Sequence, residues 1–171
     1  MQSTNPLPPD ILPPGELLRR AMRRWVTGVC VVTTVHAGIA HGMTVNSYGS
    51  ISLDPPLVTV TMGNDTRTLT MVRESGIFAV TILTYEQQHL AELFAGRIPE
   101  EGDRLAGLDT FTMLTGAPVL TGGAAFIDCR VVFEYPMPTS TLLIAEALTA
   151  ETSPVESPLL IYFNRTFSGL S

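Results

Sequence analysis

Residues 29–35 form an unbroken run of β-branched and apolar side chains, and residues 39–45 make a matching return segment after the turn candidate Ala37-Gly38. Residues 57–62, LVTVTM, alternate apolar and polar, which marks a strand covered on one face. IFAVTIL, residues 77–83, reads as another strand. The longest alternation sets Ala125, Ile127, Cys129, Val131, Phe133 and Tyr135 against Asp128, Arg130 and Glu134, and predicts a strand burying the first set. Residues 141–149 and 159–163 supply two more strands.

Helical periodicity is confined to three short stretches. Leu18, Ala21, Met22 and Trp25 recur at i, i+3, i+4 and i+7, predicting an amphipathic helix that opens after Gly15 and that Gly28 can end. Asp65 is placed as N-cap of TRTLTMVRES, which Gly76 closes. Thr84 and Gln87 have capping-box spacing before Leu90, Leu93 and Phe94, with Gly96 as terminator. Residues 97–116 are a long connection, expected to be functional or packed against a partner. The sum is a mainly β chain with short helices, six or seven antiparallel strands forming a closed or nearly closed barrel.

At 171 residues the chain fits one domain that buries about 70% of its unfolded surface. Residues 1–14 hold five prolines and are expected to be an extended arm, leaving 15–171 as the domain. With 45% hydrophobic and 15% charged residues and a mean hydropathy of +0.27, part of the surface is expected to be covered by a second copy, giving a homodimer. A net charge of −6 argues against nucleic acid or anionic membrane as partner. Arg19, Arg20, Arg23 and Arg24 fall at helical spacing and are taken as a solvated helix face. Cys30 and Cys129 lie in apolar runs and read as buried thiols. Without a charged start leading to a cleavage site, or an apolar run of ~18 residues, a cytoplasmic protein is expected.

Several chemistries find no support. His36, His41 and His89 are scattered and there is no HExxH, so no metal is expected. GxSxG and GxGxxG are both missing, which disfavours an α/β-type serine hydrolase and a Rossmann dinucleotide site. The chain has no lysine, which removes a pyridoxal Schiff base, and the few histidines disfavour haem. What remains is a cluster of neutral donors, Thr27, Thr33, Thr34, Thr44, Asn46, Ser47, Ser50 and Ser52, beside Arg67 in the first turn of a helix. Converging neutral donors, one guanidinium and a helix N-terminus suit a phosphorylated ligand.

In order along the chain, TGVCVVTT, GMTVNSYGSISLDPPLV, NDTRT, GIFAVTIL, GAPVL, AAFIDCRV and PLLIYFNRTF make it resemble the flavin reductase-like family, the reductase components of two-component flavin monooxygenases. The resemblance spans about residue 19 to the end. It implies an FMN-binding split β-barrel, a homodimer, and hydride transfer from NADH or NADPH to FMN or FAD, with reduced flavin diffusing to a separate oxygenase.

Carried over, Thr27, Gly28, Val29, Thr33 and Thr34 with Thr44, Asn46 and Ser47 line the ring and ribityl chain. Ser50, Ser52, Thr66 and Arg67 lie nearest the phosphate. No acid–base residue is expected to be essential. Where many relatives read GDHTLFIGEV, with a histidine associated with nicotinamide, this chain reads PTSTLLIAEA over residues 138–147. Ser140 replaces the histidine, so Ser140 or Tyr162 is the candidate nicotinamide contact. The alternative is a flavin-binding or electron-transfer protein without efficient NAD(P)H turnover.

Overall fold

β2 (Cys30–His36) is the strand around which the rest is arranged, and its first five residues are buried because both of its faces are covered. In the computed structural model, which describes residues 12–98, 103–154 and 156–170, it lies second in a seven-stranded antiparallel sheet. On one side it pairs with β3 (Ile39–Val45), and on the other with β6 (Ile77–Ile82). From there the order continues through β9 (Ala125–Pro136), β10 (Ser140–Thr152) and β5 (Pro56–Gly63) to β4 (Gly49–Leu53).

The sheet curls without closing. Its split lies between the β3 and β5 sides, where the Ser47 hydroxyl donates to the Thr61 carbonyl (2.8 Å) and accepts from the Thr61 N–H (3.2 Å). One side chain thus fastens the segment leaving β3 onto the far side of the barrel.

The interior holds Val32, Val60, Phe78 and Leu143, and α2 (Arg67–Ser75) contributes Leu69 and Val72 to the same cluster. Each such side chain, removed from water, contributes about 1.5–3 kcal/mol. A second cluster lies outside β2, where Val31 and Leu83 meet Phe94 of α3 (Gln88–Phe94) and Leu160 of β11 (Leu159–Phe163). β11 joins β1 (Thr27–Gly28) and β12 (Thr166–Leu170) in a small antiparallel sheet. A third cluster packs Val119 of β8 (Pro118–Leu120) on Ala79 and Phe126, and Phe111 of β7 (Thr110–Thr112) meets Phe126 edge to face at 4.9 Å.

Several elements differ from the sequence reading. α1 (Pro14–Met22) starts at its proline, one residue before Gly15, and ends well short of Gly28, which lies in β1. None of its residues is buried. Thr66, rather than Asp65, caps α2, accepting from Leu69 N–H at 3.4 Å, while Gly76 closes the helix at φ 71°. The Thr84–Gln87 capping box forms, but opens a 3-10 turn (Tyr85–Gln87) that runs on into α3. The connection 97–116 contains β7, and its residues 99–102 lie outside the described residues, as do residues 1–11 of the expected arm.

β9 is the instructive case. Phe133 and Tyr135 are 54% and 56% exposed, not buried. Ile144 faces Phe133 while Ala145 faces Val131, so Val132 is a bulged extra residue that inverts the parity of everything after it. Beyond the bulge Glu134 takes the bond from Arg73 of α2 at 2.9 Å. Asp128, expected on the polar face, is fully buried, accepting from Thr115 N–H at 2.6 Å and from the Thr115 hydroxyl at 2.5 Å.

Candidate functional site

A groove runs along the end of β3 and over the start of the small sheet. Its middle is a hollow of about 220 Å³ between Thr44, Asn46, Ala95, Arg97, Tyr162 and Phe167. The Thr44 hydroxyl donates to the Ala91 carbonyl of α3 (2.7 Å), which fixes the helix against β3, and Tyr162 faces Thr27 across the β1–β11 ladder. Arg97 stacks on Phe167, 5.4 Å from the ring centre.

Thr44 and Ala95 are shared with a neighbouring hollow of about 380 Å³ that holds His41, Thr66, Arg67 and Arg104. Here α2 begins, with no acidic residue in its first turn, so Arg67 adds to the positive end of its dipole and the two together favour an anion. His41 donates to or accepts from Thr68 at 2.9 Å. Burial, then Arg67 and Arg104, hold His41 below the ordinary histidine range and outweigh the opposing pull of Asp103.

On the other side, Asn46 is shared with a hollow of about 540 Å³ containing Gly28, Ser47 and Tyr48, and with one of about 250 Å³ containing Arg23, Thr27 and Arg165. Burial pushes the Tyr48 phenol up, so it stays a neutral donor. Arg19, Arg23, Arg67, Arg97, Arg104 and Arg165 line the four hollows, and among the described residues no carboxylate does. A larger hollow, about 680 Å³ around Gln87, carries Glu86 and Asp109 and no arginine among the described residues, the wrong sign for an anion.

Of the residues singled out from sequence, Thr27, Gly28, Val29, Thr44, Asn46 and Ser47 line this groove, joined by Thr66, Arg67 and Tyr162. Thr33 and Thr34 do not. Both are fully buried, Thr33 donating to the Pro118 carbonyl and Thr34 to that of Ile77 (2.8 Å), so they fasten β2 to its covers. Ser50 and Ser52 lie on edge strand β4, with the Ser52 hydroxyl turned to the Pro55 carbonyl, and neither lines these hollows.

Ser140 opens β10 opposite Gly63, in a hairpin fastened by Asn64 to Met137 O (2.8 Å), and does not line the groove. His41, Tyr48, Arg97, Arg104, Phe167 and Arg165 were missed. The usable signal was scarcity: with ten cations in the chain, an arginine directly after the helix terminator Gly96 or within a hairpin turn is informative.

The donor set fits a flavin nucleotide: arginines and a helix start for phosphate, Asn46 and Tyr48 for a polar ring edge, and Tyr162 and Phe167 for its apolar face. The buried Thr27 hydroxyl, which has no hydrogen-bond partner among the described residues, is a further open hydrogen-bonding group there. Fold and groove together define a split antiparallel barrel built to bind an anionic, partly apolar ligand.

The chain belongs to the flavin reductase-like family, whose domain model matches residues 22–171. It is 32% identical over 144 residues to the reductase subunit HsaB of a flavin-dependent monooxygenase from Rhodococcus jostii, covering 84% of this chain and 72% of that one. An NADH-dependent flavin reductase from a Rhodococcus species is 35% identical over 144 residues, covering 82% of this chain and 78% of its own. The crystallised NADH:FAD oxidoreductase SgcE6 of Streptomyces globisporus superposes with a TM-score of 0.85 at 29% identity, covering 96% of this chain and 99% of that one.

Proposed function

We propose that this chain is the NAD(P)H:flavin oxidoreductase of a two-component system, reducing flavin for a separate monooxygenase. The observation that carries the reading is the groove itself, with neutral donors and arginines on a barrel of this family. A bound flavin supplies the ring that accepts hydride from the nicotinamide. Arg67 at the start of α2 holds its phosphate, assisted by Arg104, while Thr66 caps the helix there with its hydroxyl donating to the Gly63 carbonyl. Thr44, Asn46 and Ser47 orient the ribityl chain and ring, and Thr27, Gly28 and Val29 form the wall opposite. Tyr162 and Phe167 exclude water from one side. No residue need move a proton for the hydride step, so binding and orientation are the protein's work.

We further propose a homodimer formed through the outer face of β9, β10, β5 and β4, where Phe133 and Tyr135 are exposed. A cytoplasmic location, where reduced nicotinamide is regenerated, goes with this activity. No described helix is long and apolar enough to cross a membrane.

The test is loss of reduced-nicotinamide absorbance with NADH or NADPH and FMN or FAD in all four pairings. Turnover well above the protein-free rate is expected in at least one pairing, and its absence in all four overturns the reading.

A further inference from the structure

The hollow between α1 and the β11–β12 turn holds arginines that the flavin reading leaves unused. It holds two atoms that are buried and lack a hydrogen-bond partner among the described residues, Nε of Arg23 and Oγ1 of Thr27. Buried polar atoms are nearly always satisfied, so two orphans facing one hollow call for a ligand. Both are suited to an oxyanion: the guanidinium N–H donates only, and the hydroxyl donates or accepts.

Arg165 closes the hollow from the opposite side. It sits at φ 67°, after Asn164 at φ 48°, in the two-residue turn joining β11 to β12. Asparagine tolerates that conformation and glycine would suit the second position better, so the arginine is kept there against its backbone preference. Arg19, a third cation of the lining, is tied to Glu16 at 2.7 Å and is the least available. Trp25, 64% exposed, presents an aromatic face at the rim, and Asn46 and Tyr162 connect the hollow to the flavin groove.

We propose that Arg23, Thr27 and Arg165 form a second phosphate subsite, which takes the phosphorylated adenosine end of a dinucleotide and stacks its adenine on Trp25. The subsite lies across Asn46 from Arg67, so it does not compete for the flavin phosphate placed there. The inference rests on the flavin-groove reading only for its neighbour, because the adenosine phosphate could belong to FAD or to the nicotinamide dinucleotide.

Trp25 is the only tryptophan in the chain and therefore reports on the site directly. Titration of the intact protein with ADP, and separately with 2′,5′-ADP, is expected to change its fluorescence saturably. Arg23→Gln should weaken that binding by about tenfold and Arg165→Gln, at an exposed position, by up to about fivefold. Arg20→Gln, on the same helix outside the hollow, should leave it unchanged. Equal affinity for the two probes assigns the subsite to a pyrophosphate, as in FAD or NADH, and much tighter binding of 2′,5′-ADP assigns it to the 2′-phosphate of NADPH. FMN binding, followed by flavin fluorescence, should survive both substitutions. ADP binding in a protein that ignores FMN would sink the flavin reading and spare this one. No saturable change with either probe, or a change that persists in the Arg23→Gln/Arg165→Gln double variant, overturns the subsite.

Discussion

Gly42 is the point at which the barrel sets the position of the groove. It faces Thr33 across the β2–β3 ladder, and a Cβ added there would sit 3.0 Å from Cε1 of Phe94, 3.0 Å from Cγ2 of Thr33 and 3.1 Å from the Val32 carbonyl oxygen. The carbonyl is part of a paired strand and Thr33 is fully buried, so only Phe94 can yield, and it carries α3 with it. Overpacking of this kind costs about 1–3 kcal/mol, and for a chain of this size about 2 kcal/mol lowers Tm by about 4–8 °C. Because Ala95 and Arg97 follow Phe94 into the groove, Gly42→Ala should also weaken flavin binding without touching a ligand contact. Thermal unfolding by circular dichroism and FMN titration by fluorescence read the two effects. Adding Phe94→Leu gives the methyl room, so the double variant should be more stable than the sum of the two single changes predicts, by about 1 kcal/mol. A Tm unchanged within about 1 °C, or strict additivity in the double variant, would refute the packing argument.

Arg67→Gln should weaken FMN by up to about fivefold and leave riboflavin, which lacks the phosphate, nearly unaffected; equal losses for the two would remove Arg67 from the phosphate site. His41 is held below its reference value of 6.5, so protons favour the unfolded chain. Stability should therefore be unaffected by this group above pH 6.5 and fall as pH drops below it towards the folded value, a slope that His41→Asn should flatten in urea titrations. A phosphate beside Arg67 offsets the arginine charges, so His41 followed by NMR should titrate higher with FMN bound than without. Burial pushes the Cys30 and Cys129 thiols up to about 12, and neither should react with a thiol reagent at neutral pH until the protein is unfolded. Rapid labelling of the native chain would contradict that packing.

What the sequence disclosed was whatever depends on neighbours in the chain. The β2–β3 hairpin, the alternation of β5, Gly76 as helix terminator and the Thr84–Gln87 box are local patterns, and all four form. The same reasoning could not separate Thr44 from Thr33, two threonines on neighbouring strands. Their difference lies in what covers them, the β7–β8 hairpin supplying the Pro118 carbonyl to one and the groove opening beside the other. Nor does alternation reveal a bulge: Val131, Val132 and Phe133 are all apolar, and only the pairing with β10 shows which is extra. The arginines of the groove come from α1, α2, the segments after α3 and the β11–β12 turn, so no window of sequence contains them.

That dispersal bears on how an acidic protein handles an anionic ligand. The chain carries a net −6, yet six of its ten arginines line one groove. Of the other four, Arg73 and Arg130 are bonded to Glu134 and Glu146, so the surface elsewhere is more negative than the total implies. A flavin phosphate or a dinucleotide is therefore repelled from most of the molecule and drawn to the groove, and the attraction fades as salt shortens the Debye length to about 10 Å at 0.1 M. Strength of hold is a separate matter. Arg67 and Arg97 are exposed, and exposed ion pairs contribute about 0–1 kcal/mol, so the field gathers ligand faster than it retains it. Capture that is quick and release that is easy are what a reductase needs when its product must leave to serve another protein, and a deeper, carboxylate-braced phosphate site would work against that role.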